Sequence, residues 1–228
     1  MKNRFANVVD AVMLAFLVCG FFVPVMAVDT GSVSFSDERK RRDAQEETIR
    51  IQESVQLLDM AAREGEPQAM VLLGMMSDVG FPVKRDLDRA IGWYVKAADK
   101  QYGKAWLPLA FAYAEMGNDV QAGFWFEKAA GLYRETNADD VLVMVFGAGY
   151  LADYIGKDQF AQRQEINRKR LMWLEGLAAS GDPVACSMMA TVYREGLGVK
   201  KDVRRGDLWC KKAVTTNREG MVVERFCY

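Results

Sequence analysis

The chain has 228 residues, half of them hydrophobic, with 30 basic against 31 acidic side chains and a formal net charge of −1. That balance excludes a general nucleic-acid binder, which needs a basic face. The chain contains no histidine, which removes Ser-His-Asp and Cys-His nucleophiles, His-ligated metal sites and His-based pH switches.

The N-terminus reads as an export signal. Lys2 and Arg4 form a positive start, Ala11 to Val25 is nearly all apolar, and Val25-Met26-Ala27 supplies small residues at a cleavage site after Ala27. The apolar run is short for a bilayer span, which needs ~20 residues; an uncleaved anchor is the alternative. Without Lys2, Arg4 and Asp10, the remaining chain carries 28 basic and 30 acidic residues. The sequence therefore predicts an exported, mildly acidic protein, most simply a periplasmic one, with no stable membrane insertion once the signal is removed.

Residues 28–45 read as a polar linker, ending in the charge run Glu38-Arg-Lys-Arg-Arg-Asp43, which is read as the solvated start of a helix. From 46 to 65 the apolar positions Ile49, Ile51, Val55, Leu58 and Ala62 fall mostly at steps of three and four, a helical period. This segment predicts a capping helix that shields the first unit of an array.

An internal repeat follows. The stretch Glu66-Pro-Gln-Ala-Met-Val-Leu-Leu-Gly through Ala90-Ile-Gly-Trp-Tyr-Val-Lys-Ala-Ala98 returns as Asp182-Pro-Val-Ala-Cys-Ser-Met-Met-Ala through Gly206-Asp-Leu-Trp-Cys-Lys-Lys-Ala213. The loops inside the two copies also match, Gly80-Phe-Pro-Val-Lys-Arg-Asp86 against Gly196-Leu-Gly-Val-Lys-Lys-Asp202. A gapless match over a whole unit marks a repeat architecture. Each unit predicts a first helix with a small residue three before Tyr: Ala110 and Tyr113, Gly147 and Tyr150, Ala190 and Tyr193, with Gly74 and Ser77 as the variant. Each second helix has a Trp before a small pair: Trp93, Trp125, Trp173 and Trp209. Small residues let paired helices approach, and the aromatic ring fills the space beside them; these Trp read as core.

The predicted units are 66–101, 102–132, 133–181 and 182–217, with 218–228 as a C-terminal cap or tail. Gly65 and Gly181 suit a helix C′ position, and Pro67 and Pro183 the first turn of the next helix. The third unit is degenerate, with a long polar loop from Lys157 to Arg168 that reads as a contact surface.

These motifs resemble the Sel1-like repeat, a relative of the tetratricopeptide repeat. Its pattern is Ala-x-x-x-Leu-Gly-x-x-Tyr, then Gly-x-Gly-Val-x-x-Asp, then Ala-x-x-Trp-Tyr-x-Lys-Ala-Ala. Residues 66–98 and 182–213 match well, while 103–132 and 139–180 match in part. The departures are Ser77 for Tyr, Pro82 for the loop Gly, Gly206 for Ala and Cys210 for Tyr. The resemblance implies an all-α, right-handed superhelical solenoid of antiparallel helix pairs, and a protein-binding scaffold rather than an enzyme. By the same analogy Gln68, Val71, Met75, Lys104, Leu107, Phe111, Met144, Ser187, Thr191 and Arg194 would face a concave groove. Met75, Leu107, Phe111 and Met144 would form its apolar strip, with Lys104 and Arg194 as a charged rim suited to a protein ligand. Exported relatives act as envelope or secretion adaptors, and some resemble immunity proteins that neutralise effectors such as secreted phospholipases. Both roles stay open at this point.

Three cysteines follow the signal, Cys186, Cys210 and Cys227. In an antiparallel pair Cys186 and Cys210 lie at similar height, so a Cys186–Cys210 bridge is expected, with two buried thiols as the alternative and Cys227 left over or competing for Cys210. No Cys-x-x-Cys pair, phosphate-binding Gly-Lys-Ser/Thr loop or serine nucleophile motif occurs. No metal or cofactor is expected. A carboxylate-based hydrolase is the remaining catalytic alternative.

Overall fold

The computed structural model describes residues 35–136, 139–146, 157–216 and 222–225. The expected signal at 1–27 lies outside them, as does Cys227. Helix α1 runs over Phe35–Arg63, α2 over Pro67–Val79 and α3 over Leu87–Asp99. A 3₁₀ turn at Gly103–Ala105 leads into α4 (Trp106–Glu115), which is followed by α5 (Asp119–Thr136) and α6 (Asp139–Phe146). Then come α7 (Lys157–Ala179), α8 (Pro183–Glu195) and α9 (Val203–Lys212), and a hairpin of β1 (Val214–Thr216) and β2 (Val222–Arg225). The fold is an all-α solenoid with this short hairpin appended.

The repeat boundaries form for the local reasons the sequence supplies. Gly65 and Gly181 both adopt φ of 96°, a left-handed conformation open mainly to glycine. Pro67 and Pro183 each open a helix at a position whose N–H has no intrahelical partner. In front of Pro183 the Asp182 carboxylate accepts from the Ala185 N–H at 2.7 Å, whereas Glu66 makes no such side-chain cap. The loop aspartates recur because they cap the second helices: Asp86 accepts from the Arg89 N–H at 2.9 Å and Asp202 from the Arg205 N–H at 3.0 Å.

Helices α2 and α3, α4 and α5, and α8 and α9 pack as hairpins, and α1 packs on α2 as an N-terminal cap. One apolar core spans α1 to α4 and includes Leu58, Leu73, Tyr94 and Leu109; a second runs from α4 to α9 around Phe111, Phe146, Leu174 and Met189. Trp106 and Trp125 pack against both and join them.

Tight approach in the first repeat depends on one missing side chain. A Cβ on Gly74 would lie 2.5 Å from Cε1 of the fully buried Tyr94 ring. In the last repeat the corresponding positions hold Ala190 and Cys210, moving volume from one helix to the other. Gly74→Ala is expected to cost about 1–3 kcal/mol through overpacking, read by urea denaturation.

Three expectations change. The segment read as a linker from 28 to 45 is helical from Phe35 on, because Glu, Arg, Lys and Gln are good helix formers and its charges face solvent. The tail after 217 supplies β2, which pairs with Val214-Thr-Thr216, a β-branched run suited to extended backbone. The predicted loop from Lys157 to Arg168 belongs to α7, a continuous helix of 23 residues.

Candidate functional site

The expected groove is largely interior. Val71 and Leu107 are 3% exposed, Phe111 is fully buried and Ser187 is 2% exposed. Phe111 lies edge-on to Phe146 at 5.1 Å and to Trp173 at 5.6 Å between ring centroids. These residues fail as an exposed binding strip because the faces analogy assigned to the groove pack against neighbouring repeats. Gln68 and Lys104 are exposed, and Met75, Thr191 and Arg194 half-buried. Arg194 is bound to Asp207 Oδ1 through Nε at 3.0 Å and Nη2 at 2.8 Å. Met144 sits on α6, and its side chain lies outside the described residues.

The unexpected centre is a buried charge cluster closed by α7. This helix turns one continuous stripe inward: Arg163, Ile166, Asn167, Arg170, Leu171, Leu174 and Ala178 are all buried, at helical steps of three and four. From Leu171 onward that stripe is apolar, and before it Ile166 sits among the polar Arg163, Asn167 and Arg170. These polar residues reach the C-terminal ends of three first helices. Arg170 Nη2 donates to Asp78 Oδ1 of α2 at 2.6 Å and to Glu115 Oε2 of α4 at 3.2 Å. Arg163 Nη2 donates to the Val145 carbonyl of α6 at 2.6 Å, and Asn167 to the Phe146 carbonyl at 3.3 Å. Carbonyls at the end of a helix have no intrahelical donor, so these side chains supply it.

Arg85, from the loop of the first repeat, completes the cluster. Its Nε donates to the Asp78 carbonyl at 2.8 Å and its Nη2 to Glu115 Oε1 at 2.7 Å. The Tyr94 hydroxyl lies 3.5 Å from Asp78 Oδ2, and Arg163 Nη1 lies 3.8 Å from Asp78 Oδ1. Asp78 therefore meets three guanidinium groups. Burial pushes its carboxyl pKa up, but Arg170, Arg163 and Arg85 outweigh that and hold it below the usual carboxylate range. Burial, aided by the Asp78 charge, raises the Tyr94 hydroxyl well above its ordinary value. Burial and then the neighbouring Arg170 charge push Arg163 down to about 10, so it stays protonated at neutral pH. Asp78 and Glu115 are engaged by arginines, which is an arrangement for holding helices together.

The family comparison agrees with the repeat architecture. The Sel1 repeat family profile matches residues 67–102, 110–132 and 183–215. The chain is a Sel1 repeat protein. The matched segments take in α2–α3, parts of α4–α5, and α8–α9 with β1; they pass over the third repeat, where α7 departs from the regular unit. No curated protein sequence matches the chain. Among solved structures it is similar to a protective antigen of uropathogenic Escherichia coli with an SLR fold, at 24% identity and a TM-score of 0.36, covering 70% of this chain and 32% of that one. It is also similar to a Sel1 repeat protein from Oxalobacter formigenes, at 22% identity and a TM-score of 0.34, covering 70% of this chain and 44% of that one. The chain thus spans less than half the length of either structure. Sel1 repeats make protein–protein interaction scaffolds, and this chain has that architecture.

The outer faces of the repeats carry their own pattern. In three second helices a lysine three residues after the Trp covers its ring: Lys96 at 4.2 Å from Trp93, Lys128 at 5.1 Å from Trp125, and Lys212 at 4.4 Å from Trp209. The Trp are accordingly core at one edge and surface at the other, not wholly interior. Trp173 has Gly176 at the lysine position and instead packs edge-on against Phe111 and Phe126. Lys128 also lies over the exposed Phe124 ring at 5.0 Å. Val120 at 80% exposure and Phe124 at 49% are four residues apart on α5 and so share one face; Met116 at 52% stands in the turn before that helix.

The cysteines do not pair as expected. Cys186 is a free, buried thiol whose Sγ lies 3.4 Å from the Ala178 carbonyl of α7. It is turned toward the preceding helix, while Cys210 is disulfide-bonded, though not to Cys186.

Sequence reasoning missed Asp78, Arg85, Tyr94, Glu115, Arg163 and Arg170 as a unit. The available signal was the stripe in α7: the spacing of Ile166, Leu171, Leu174 and Ala178 continues backwards through Arg163, Asn167 and Arg170.

Proposed function

We propose that this Sel1 repeat protein is a non-catalytic scaffold, exported to the periplasm, that binds a protein partner through the outer surface of its second repeat. The exposed face of Val120 and Phe124 on α5, with the cation of Lys128 over the Phe124 ring, carries this reading. A continuous apolar face flanked by charge suits a protein ligand, with aromatic and aliphatic anchors giving affinity and charges giving specificity. The N-terminal pattern of Lys2, Arg4, the apolar run and Val25-Met26-Ala27 supports export. An immunity role, in which one toxic secreted enzyme such as a phospholipase is held and blocked, is the most specific form of this reading; an envelope adaptor with several partners is its alternative.

Affinity capture from cell envelope and secreted fractions tests it, with Val120→Asp and Phe124→Ala as surface variants. A specific partner is expected to lose on the order of tenfold or more in affinity on either change. One dominant secreted enzyme would establish the immunity form, and several envelope proteins the adaptor form. Capture that ignores both variants but fails with Lys104→Glu would return the surface to the first helices, and the second-repeat assignment would be wrong.

A further inference from the structure

Among the described residues, the charge cluster beneath α7 sets three guanidinium groups, of Arg85, Arg163 and Arg170, against the two carboxylates of Asp78 and Glu115. Arg163 and Arg170 are 2% and 1% exposed. Nε and Nη1 of Arg163, and Nε and Nη1 of Arg170, are buried and donate to no acceptor among the described residues. Buried polar groups in folded proteins nearly always have partners, and a buried charge left uncompensated is more costly still. The C-terminal ends of α2, α4 and α6 offset part of the third guanidinium charge, and a small anion would accept from the open donors while offsetting the remainder.

A cleft adjoins the cluster at Arg85. It has a volume of about 550 Å³ and is lined by Val79, Gly80, Phe81, Pro82, Val83, Lys84, Arg85 and Gln162. Arg85 belongs to both cleft and cluster, with its guanidinium bound to Glu115 on one side. Lys84 adds a further positive charge to the wall. Gln162 immediately precedes Arg163 on α7, so the cleft is bounded by the same helix that closes the cluster.

We propose that this place, between the loop of the first repeat and the N-terminal half of α7, binds a small monoanion, either a free inorganic ion or a carboxylate. The anion neutralises the third arginine and accepts from the open donors of Arg163 and Arg170. By bridging α7 to the loop at Arg85, it fixes how the third repeat lies across the first. The site is independent of the apolar row on α5, so loss of partner capture at Val120 says nothing against it.

The probes are sodium chloride and sodium formate, each exchanged at constant ionic strength against sodium isethionate as the reference salt, with thermal unfolding of the purified protein as readout. A saturable rise in melting temperature of about 5 °C or more is expected with formate. A matching rise with chloride assigns the site to any small anion, and a rise with formate alone assigns it to carboxylates. Arg163→Met leaves two arginines against two carboxylates and is expected to fold with the ion dependence lost; Arg163→Lys keeps the charge and is expected to retain it. Crystals grown with bromide give a second measurement, an anomalous peak within hydrogen-bond distance of Arg163 and Arg170. No anion-specific rise in the wild type, or the same rise in Arg163→Met, would overturn the proposal, as would bromide-grown crystals with only water at those donors.

Discussion

Asp78→Asn is expected to destabilise the protein by about 3–5 kcal/mol, the usual cost of removing one partner from a buried ion pair. The carboxylate faces Arg170 at 2.6 Å, Arg85 at 3.6 Å and Arg163 at 3.8 Å. Asparagine has nearly the same shape but no charge, so the loss is electrostatic rather than a cavity. Arg85 and Arg170 would then keep Glu115 alone among the named acids, and Arg163 none of them. The pH dependence carries a second signature. The folded-state pKa of Asp78 lies below its ordinary value of 3.8, so its contribution is fully present above that value and disappears as pH falls through the lower folded value. Urea unfolding across the acid range should show stability declining with falling pH in the wild type, and a shallower decline in Asp78→Asn. A double-mutant cycle with Arg170→Met isolates the coupling of the pair.

Phe111→Ala is expected to cost about 3–5 kcal/mol, the range for a buried aromatic truncated in a packed core. Phe111 is fully buried where α4 meets the third repeat, edge-on to Phe146 and to Trp173. Those edge-to-face contacts add to the area term, and the site cannot easily collapse because Trp173 is also held by Phe126 at 5.6 Å. Calorimetric unfolding reads the loss directly. This bears on how partner binding is dissected: a capture lost in Phe111→Ala reports weakened packing, whereas Val120→Asp changes a side chain that is 80% exposed and probes contact itself.

The sequence by itself determined the repeat. Gly65 and Gly181, Pro67 and Pro183, and the capping aspartates Asp86 and Asp202 act within a few residues of where they stand, so their meaning is local and readable. The Trp registers and the pairing of Gly74 with Tyr94 follow from one helix hairpin folding on itself. What the tertiary structure decided is what neighbouring repeats do to each other. Leu107 and Phe111 look like groove residues by analogy but are covered by the third repeat. Arg163 and Asn167 read as part of a polar loop, and Arg170 just beyond it does not stand out by itself, because polar residues usually face water. They are buried because the acceptors they need, Asp78, Glu115 and the carbonyls of Val145 and Phe146, lie on three other helices. Cys186 and Cys210 share a hairpin, yet the Cys186 side chain turns to α7, a direction that repeat spacing does not encode. Hydrophobic period and capping are local signals; satisfaction of a buried charge depends on partners that may be 92 residues apart, as Arg170 and Asp78 are, and only packing brings them together.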